Sequence, residues 1–302
     1  IAKINADKTA GEKAIDDAKD ADSINQALVN SNKQIGVDYV PGKSLNDQKD
    51  AAKKQLDAEA DKTKATIDAD KTLTSAEKAQ QKANVDAKNK AAQDNVDAQT
   101  NADNINALTA QGVEEIDAQY VPGKVSLSDQ KTNAKDQLEE EAAKVKNDIA
   151  NDATLTQDQK NTQMSQVDAD KEAGEQAIDN ATDADGINQA VSDTNAKIDS
   201  DHVSGQSVDD QKTAAKDTIN TEANKVKAEI DADKTLSKAE KQRQKNNVDR
   251  ALAAAQSVID GLTNADDINS AIAQQIHIID LQHVKKQNNG SGPNQVIPRN
   301  VY

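Results

Sequence analysis

The chain of 302 residues contains no cysteine, no tryptophan and no phenylalanine, and only three tyrosines, one methionine and four prolines. Without cysteine there is no disulfide framework, no thiolate nucleophile and no thiolate metal site, while the compartment stays open. Without large aromatics, one ordinary globular core of this length is not expected. No run approaches the ~18 apolar residues of a membrane span. The formal net charge of −16 argues against nucleic acid, whose phosphates want a basic stripe. It argues equally against a purely electrostatic anchor on an anionic membrane. Taken alone, this charge with so few large aliphatics lies on the disordered side of the usual boundary.

What is present is a repeat. Asp20-Ala21-Asp22-Ser23-Ile24-Asn25 recurs as Asn101 to Asn106, Asp183 to Asn188 and Asn264 to Asn269. The isoleucines Ile24, Ile105, Ile187 and Ile268 are spaced by 81, 82 and 81. A fixed period of this size is the mark of a tandem array.

Within each period the apolar residues fall at helical spacing. A first segment carries Leu45, Ala52, Leu56, Ala60, Thr63 and Ile67; its copies carry Leu127, Ala134, Leu138, Ala142, Val145 and Ile149, then Val208, Ala215, Ile219, Ala223, Val226 and Ile230. Steps of seven, four, four, three and four place these on one stripe of an α-helix. Ser44, Ser126 and Ser207 stand three residues before Asp47, Asp129 and Asp210, a variant of the capping box. A second helix follows, opened by the capping-box pairs Thr74/Glu77, Thr156/Gln159 and Ser237/Glu240. Its stripe runs Val85–Val96, Val167–Ile178 and Val248–Ile259, with Ala92, Gly174 and Ala255 between, and the start of the chain repeats it as Ile4, Gly11 and Ile15. A third helix is expected from N-caps at Thr100, Thr182 and Thr263, a rule that Lys19 breaks in the first copy. It closes on Tyr39-Val40, Tyr120-Val121, His202-Val203 and His283-Val284. Pro41-Gly42 and Pro122-Gly123 are expected to stop that helix and turn the chain.

The expectation is an all-α chain of three-helix bundles of about 81–82 residues each, stacked end to end. An odd number of antiparallel helices leaves the two chain ends of a bundle at opposite poles, so the array advances as a rod of about 110–130 Å. The domains read as a partial repeat at 1–43 (second and third helices only), three-helix repeats at 44–124, 125–206 and 207–288, and a linker or tail at 289–302 rich in Asn, Gly and Ser. The Pro-Gly junctions are expected to serve as hinges, and the junction at Val203-Ser204-Gly205-Gln206, without proline, to behave differently.

Few residues invite a chemical reading. Asp183-Ala184-Asp185-Gly186 lacks the ligands of a calcium loop and reads as a helix cap. Asp68-Ala69-Asp70 and Asp231-Ala232-Asp233 have no nucleophile or aromatic platform beside them, and read as solvated turns rather than acid–base pairs. His202, His277 and His283 are too few and too scattered for zinc; His202 and His283 occupy the Tyr39 and Tyr120 position and are expected to close a bundle end. The candidate partner or junction contacts are Tyr39 and Tyr120, with Ile276, Ile278 and Leu281, which give the last helix an extra apolar face expected to meet the tail or a next domain. No catalytic residue, cofactor or metal is expected.

The stretch Ala223 to Lys241, ANKVKAEIDADKTLSKAEK, followed by Asn247-Val248-Asp249 and Ala265-Asp266-Asp267-Ile268, resembles the repeat called domain of unknown function 1542. The resemblance runs from Ile1 to about Val284. It implies a tandem helical stalk of the kind found in large cell-wall-anchored surface proteins of Gram-positive bacteria, including staphylococcal and lactobacillar adhesins. By that resemblance the chain is expected to be extracellular and non-enzymatic, spacing another domain from the wall. Its partners are then neighbouring domains of a larger surface protein. The alternative is an adhesive module for a host matrix or plasma protein, or for an identical chain in cell–cell and biofilm contact.

Overall fold

A computed structural model of the chain describes residues 1–285, and among these eleven α-helices are the regular structure. The linker expected at 289–302, and the last residues of the repeat expected at 207–288, lie outside the described residues. The chain divides into two compact units, one of residues 1–124 and one beginning at Val125.

In the first unit, α1 (Ala2–Asp16) and α2 (Ala21–Val37) pack on each other. After them come α3 (Leu45–Ala69), α4 (Ser75–Asp97) and α5 (Ala102–Asp117), each packed on the other two. Their shared core is Ala52, Leu56, Ala60, Ile67, Val85, Ala92, Val96, Ile105 and Ile116. Each large aliphatic among these contributes about 1.5–3 kcal/mol by leaving water. Residues 1–43 present the same second-helix and third-helix pattern without a first helix. Consequently Gly11 is the only buried residue of the α1–α2 pair.

In the second unit, α6 (Leu127–Asn151), α7 (Gln157–Asn180) and α8 (Ala184–Asp201) form one mutually packed triplet, and α9 (Val208–Ala232), α10 (Lys238–Asp260) and α11 (Ala265–Asp280) another. The last triplet has one continuous core from Ala215 to Ile279. That of α6–α8 divides into a cluster around Ile149, Val167 and Ile198 and one around Leu138, Ile178 and Ile187.

Small residues set the helix spacing. A Cβ on Gly112 would stand 2.7 Å from Ala92 Cβ, and one on Gly174 would stand 2.3 Å from Thr194 Cγ2. These helices touch where a side chain is missing. In the last triplet the position of Gly112 and Thr194 is taken by Gln275, which is buried.

Ser44, Ser126 and Ser207 cap the first helices, and Thr74, Thr156 and Ser237 open the second helices with reciprocal capping boxes. The third-helix caps differ from expectation by one residue. The N-caps are Asn101, Asp183 and Asn264, whose side chains accept from the backbone N–H three residues on, rather than Thr100, Thr182 and Thr263. Lys19 therefore breaks no rule: Asp20 is the cap, in a capping box with Ser23. A carboxylate or carboxamide with extended backbone reaches the N3 amide as readily as a hydroxyl does. Pro41 and Pro122 do not end their helices either. α2 and α5 stop at Val37 and Asp117, before the prolines are reached, and neither Gly42 nor Gly123 has positive φ.

Candidate functional site at the helix-triplet ends

At one end of each complete triplet, the first and second helices are joined by a turn with the sequence Asp-x-Thr: Asp70-Lys71-Thr72, Asp152-Ala153-Thr154 and Asp233-Lys234-Thr235. One carboxylate oxygen accepts from the Thr backbone N–H at 2.8 Å in all three, and from the Thr Oγ1 at 2.6, 2.5 and 2.6 Å. The other oxygen accepts from the residue that closes the third helix, fifty positions later. In the first unit that donor is Tyr120 Oη, 3.1 Å from Asp70 Oδ2, joined by the Gly123 N–H at 3.4 Å. In the others it is His202 Nε2, 3.0 Å from Asp152, and His283 Nε2, 3.1 Å from Asp233. The imidazoles thus stand in for the phenol as closing donors.

These aspartates are not solvated turn residues. Burial pushes the Asp70 and Asp152 carboxyls up, but the bonds from the Thr side chain and backbone outweigh it and hold both below the ordinary range. At Asp233 the Thr235 hydroxyl and N–H, aided by His283, bring the carboxyl down to about 2. Asp68 and Asp231, two residues earlier, are exposed and pair with Lys82 at 2.7 Å and Lys245 at 2.8 Å. The solvated reading holds for these two only.

A second contact fastens the same end. Gln81 Nε2 donates to the Val121 carbonyl at 2.8 Å, while its Oε1 accepts from the Val121 N–H at 3.0 Å. Gln163 does the same to Val203, and Gln244 to Val284. The carboxamide satisfies both backbone groups of a residue that has left its helix. The signal for it was present as a glutamine recurring at the repeat spacing within a variable polar face.

Within the second unit the end of one triplet is also held by the next. The turn at 153–157 receives the Gly205 N–H on Thr154 Oγ1 at 2.8 Å, and Gln211 Nε2 on the Thr154 carbonyl at 2.8 Å. The Ala265 N–H donates to the Ala153 carbonyl at 2.9 Å, and both Asp266 carboxylate oxygens accept from the Gln157 N–H at 3.0 Å. Asp266 thus supplies a negative charge at the N-terminus of α7, where the helix dipole favours one. A Cβ on Gly205 would lie 2.4 Å from the Thr154 carbonyl oxygen. The junction without proline is a docked joint.

The remaining candidates divide. Tyr120 packs on the core of its triplet. Tyr39, at the same repeat position, is 72% exposed. Ile276 does not add to the surface as expected: it is half-buried against the last core. Ile278 and Leu281 are 43% and 59% exposed, and His277 is exposed. Among the described residues no group of three or more His, Cys, Asp or Glu side chains is placed to hold a metal ion, and no helix is long and apolar enough to cross a membrane.

The described residues are all-α, and one closing device recurs in their three helix triplets. Residues 130–206, covering α6 to α8 with Asp152, Gln163, His202 and Gly205, match the family model described as Domain of Unknown Function (DUF1542). The family that the sequence pattern resembles is therefore shown for that stretch. No curated protein and no solved structure matches the chain.

Proposed function

We propose that the chain is a spacer: three-helix bundles stacked end to end into an elongated, non-enzymatic stalk that holds another domain away from a cell surface. The observation that carries this reading is the joint around Ala153–Gln157. One triplet's end turn is bonded by the following linker, by the start of α9 and by the start of α11. A spacer must keep successive modules from folding back, and bonds from three separate segments resist bending in more than one direction. The acidic, polar helix faces and the interhelix pairs of Lys64 with Asp86, Lys146 with Asp168 and Lys227 with Asp249 favour solubility over adhesion. The match to a surface-protein repeat family supports an extracellular setting.

Small-angle scattering of the whole chain tests the shape. A radius of gyration well above the ~20 Å of a globular protein of this length is expected, and a value at ~20 Å overturns the spacer. Binding of the chain to matrix or plasma proteins, abolished by Ile278→Asp or Leu281→Asp, would favour the adhesive alternative.

A further inference from the structure

Charge is not spread evenly over the second helices. α7 carries Lys160 and Lys171 against Asp158, Asp168, Asp170, Glu172, Glu175 and Asp179, whereas α10 carries Lys238, Lys241, Arg243, Lys245 and Arg250 against Glu240, Asp249 and Asp260. In a chain of net charge −16, α10 alone among the described helices has more cations than anions. Arg243 stands where α4 has Gln80 and α7 has Thr162, and Lys285, just past α11, stands where the other triplets have Pro122 and Ser204.

These two cations border one cleft of about 300 Å³, lined also by Leu236, Asn247, Gln282 and Val284. Both are exposed and form no salt bridge among the described residues, whereas Lys227 and Lys245 of the same triplet pair with Asp249 and Asp231. The carboxylate at the cleft wall, Glu240, accepts from the Ser237 N–H at 2.8 Å. The floor is apolar. Leu236 is buried, and Val284 keeps its side chain 63% exposed while Gln244 holds its carbonyl and N–H at 2.9 and 3.3 Å. An aliphatic side chain is thus fixed in water beside two unpaired cations.

The opening does not depend on what adjoins the triplet. In α6–α8, which α9–α11 follows in the same unit, the equivalent residues Gln159, Thr162, Gln166 and Val203 are exposed as well, and a cleft lies over Gln159, Thr162 and Gln163. What differs is the charge: Thr162, Ser204 and Asp201 stand there in place of Arg243, Lys285 and Gln282.

We infer that the cleft of the last triplet is a docking site for an acidic peptide segment of a partner protein, one with an aliphatic side chain among its aspartates or glutamates. The Arg243 fork and the Lys285 ammonium receive carboxylates, and Leu236 and Val284 receive the aliphatic side chain. A phosphate polymer would satisfy the cations but leave the valine in water. Elsewhere the negative charge of the chain repels an acidic segment, so the cleft is chosen by exclusion as well as by attraction. Residues 286–302 contain no aspartate or glutamate, and so bring no such carboxylate to it. The site stands whether or not the chain serves as a stalk.

The test titrates the whole chain, isotope-labelled, with the capped peptide Glu-Asp-Leu-Glu-Asp-Glu and follows backbone amide shifts by NMR. Saturable shifts confined to residues 236–250 and 281–285 are expected. Arg243→Gln and Lys285→Ser install the residues of the sister triplets and so keep the fold. Each should weaken binding at least about threefold, as should raising the salt from about 0.05 M to about 0.3 M. Arg250→Ala, which installs the residue found at Ala87 and Ala169, lies outside the cleft and should leave binding unchanged. No saturable shift, or binding that survives the Arg243→Gln/Lys285→Ser double variant, overturns the proposal. Inorganic polyphosphate acting on the same amides at a lower concentration than the peptide overturns it in favour of a phosphate ligand. Dimerisation of the unliganded chain that the double variant abolishes overturns it in favour of a second copy.

Discussion

Tyr120 Oη donates to Asp70 Oδ2 across fifty residues of sequence, and so ties the end of α5 to the turn between α3 and α4. Tyr39 occupies the same repeat position with no such acceptor. Tyr120→Phe is therefore expected to destabilise the α3–α5 triplet by about 1.5–3 kcal/mol, the worth of a hydrogen bond to a charged acceptor. Tyr39→Phe should change nothing. Hydrogen exchange of the α3–α5 amides in the two variants separates these outcomes.

The Asp-x-Thr carboxylates make the triplets sensitive to acid. Asp233 is held near 2, below its value in an unfolded chain. A group with a depressed folded pKa contributes stability above its unfolded pKa, and that contribution is lost as pH falls through the folded one. Asp233→Asn should therefore be less stable than the parent at pH 6, with the gap closing between about pH 4 and pH 2. Urea titrations at both ends of that window check it, and a gap independent of pH would refute it.

Two identical Tyr-Val-Pro-Gly-Lys segments should respond oppositely to one change. A Cβ on Gly123 would lie 2.2 Å from Thr72 Oγ1 and 3.1 Å from its carbonyl oxygen, whereas Gly42 has open space. Gly123→Ala should cost about 1–3 kcal/mol by overpacking, and Gly42→Ala close to nothing. Thermal melts of the paired variants decide.

Asp201 is a defect that can be repaired. Burial raises its carboxyl, Asp170 raises it further, and Oδ2 is buried without a hydrogen-bond partner. At the same position in the other complete triplets stand Gln119 and Gln282, whose amides donate to the carbonyls of Glu115 and Ile278 at 2.8 and 2.9 Å. Asp201→Gln should stabilise the α6–α8 triplet by about 1–2 kcal/mol at pH 7. Because the folded pKa is raised, acid favours the parent's fold and the gain should shrink as pH falls.

Removing the Asp266 carboxylate should loosen the joint while leaving the helices intact. Asp266→Ala leaves the Gln157 N–H without its acceptor. The expected result is a broader distance distribution between spin labels on α7 and α10, with little change in melting temperature. An unchanged distribution would mean that the Ala265, Gly205 and Gln211 bonds suffice.

Local features were the most legible. Ser44, Thr74 and Ser237 could be placed as caps because a cap and its target lie three residues apart, within one turn of chain. The one-residue error at Thr100 arose because Thr100 and Asn101 are both competent caps, and only the backbone direction chooses between them. The stripes were legible because helical period alone assigns Leu56, Ile67 and Ile105 to one buried face. Asp70 was misjudged because its sequence neighbours are polar, while the partners that enclose it arrive from Tyr120 and Gly123. Gln81, Gln163 and Gln244 were missed for the same reason: each is an unremarkable polar residue until the chain returns forty positions later.

The sequence by itself determined the repeat, the helices and the faces they bury, since all three follow from short-range geometry and from the aversion of aliphatic side chains to water. The tertiary structure decided which polar groups became structural. A carboxylate such as Asp152, or an amide such as Gln163, acquires its role only from a donor or acceptor brought to it from a distant segment. It also decided that Tyr120, within one of two identical pentapeptides, becomes a closing donor, because the turn that carries Asp70 is brought to it from fifty residues away.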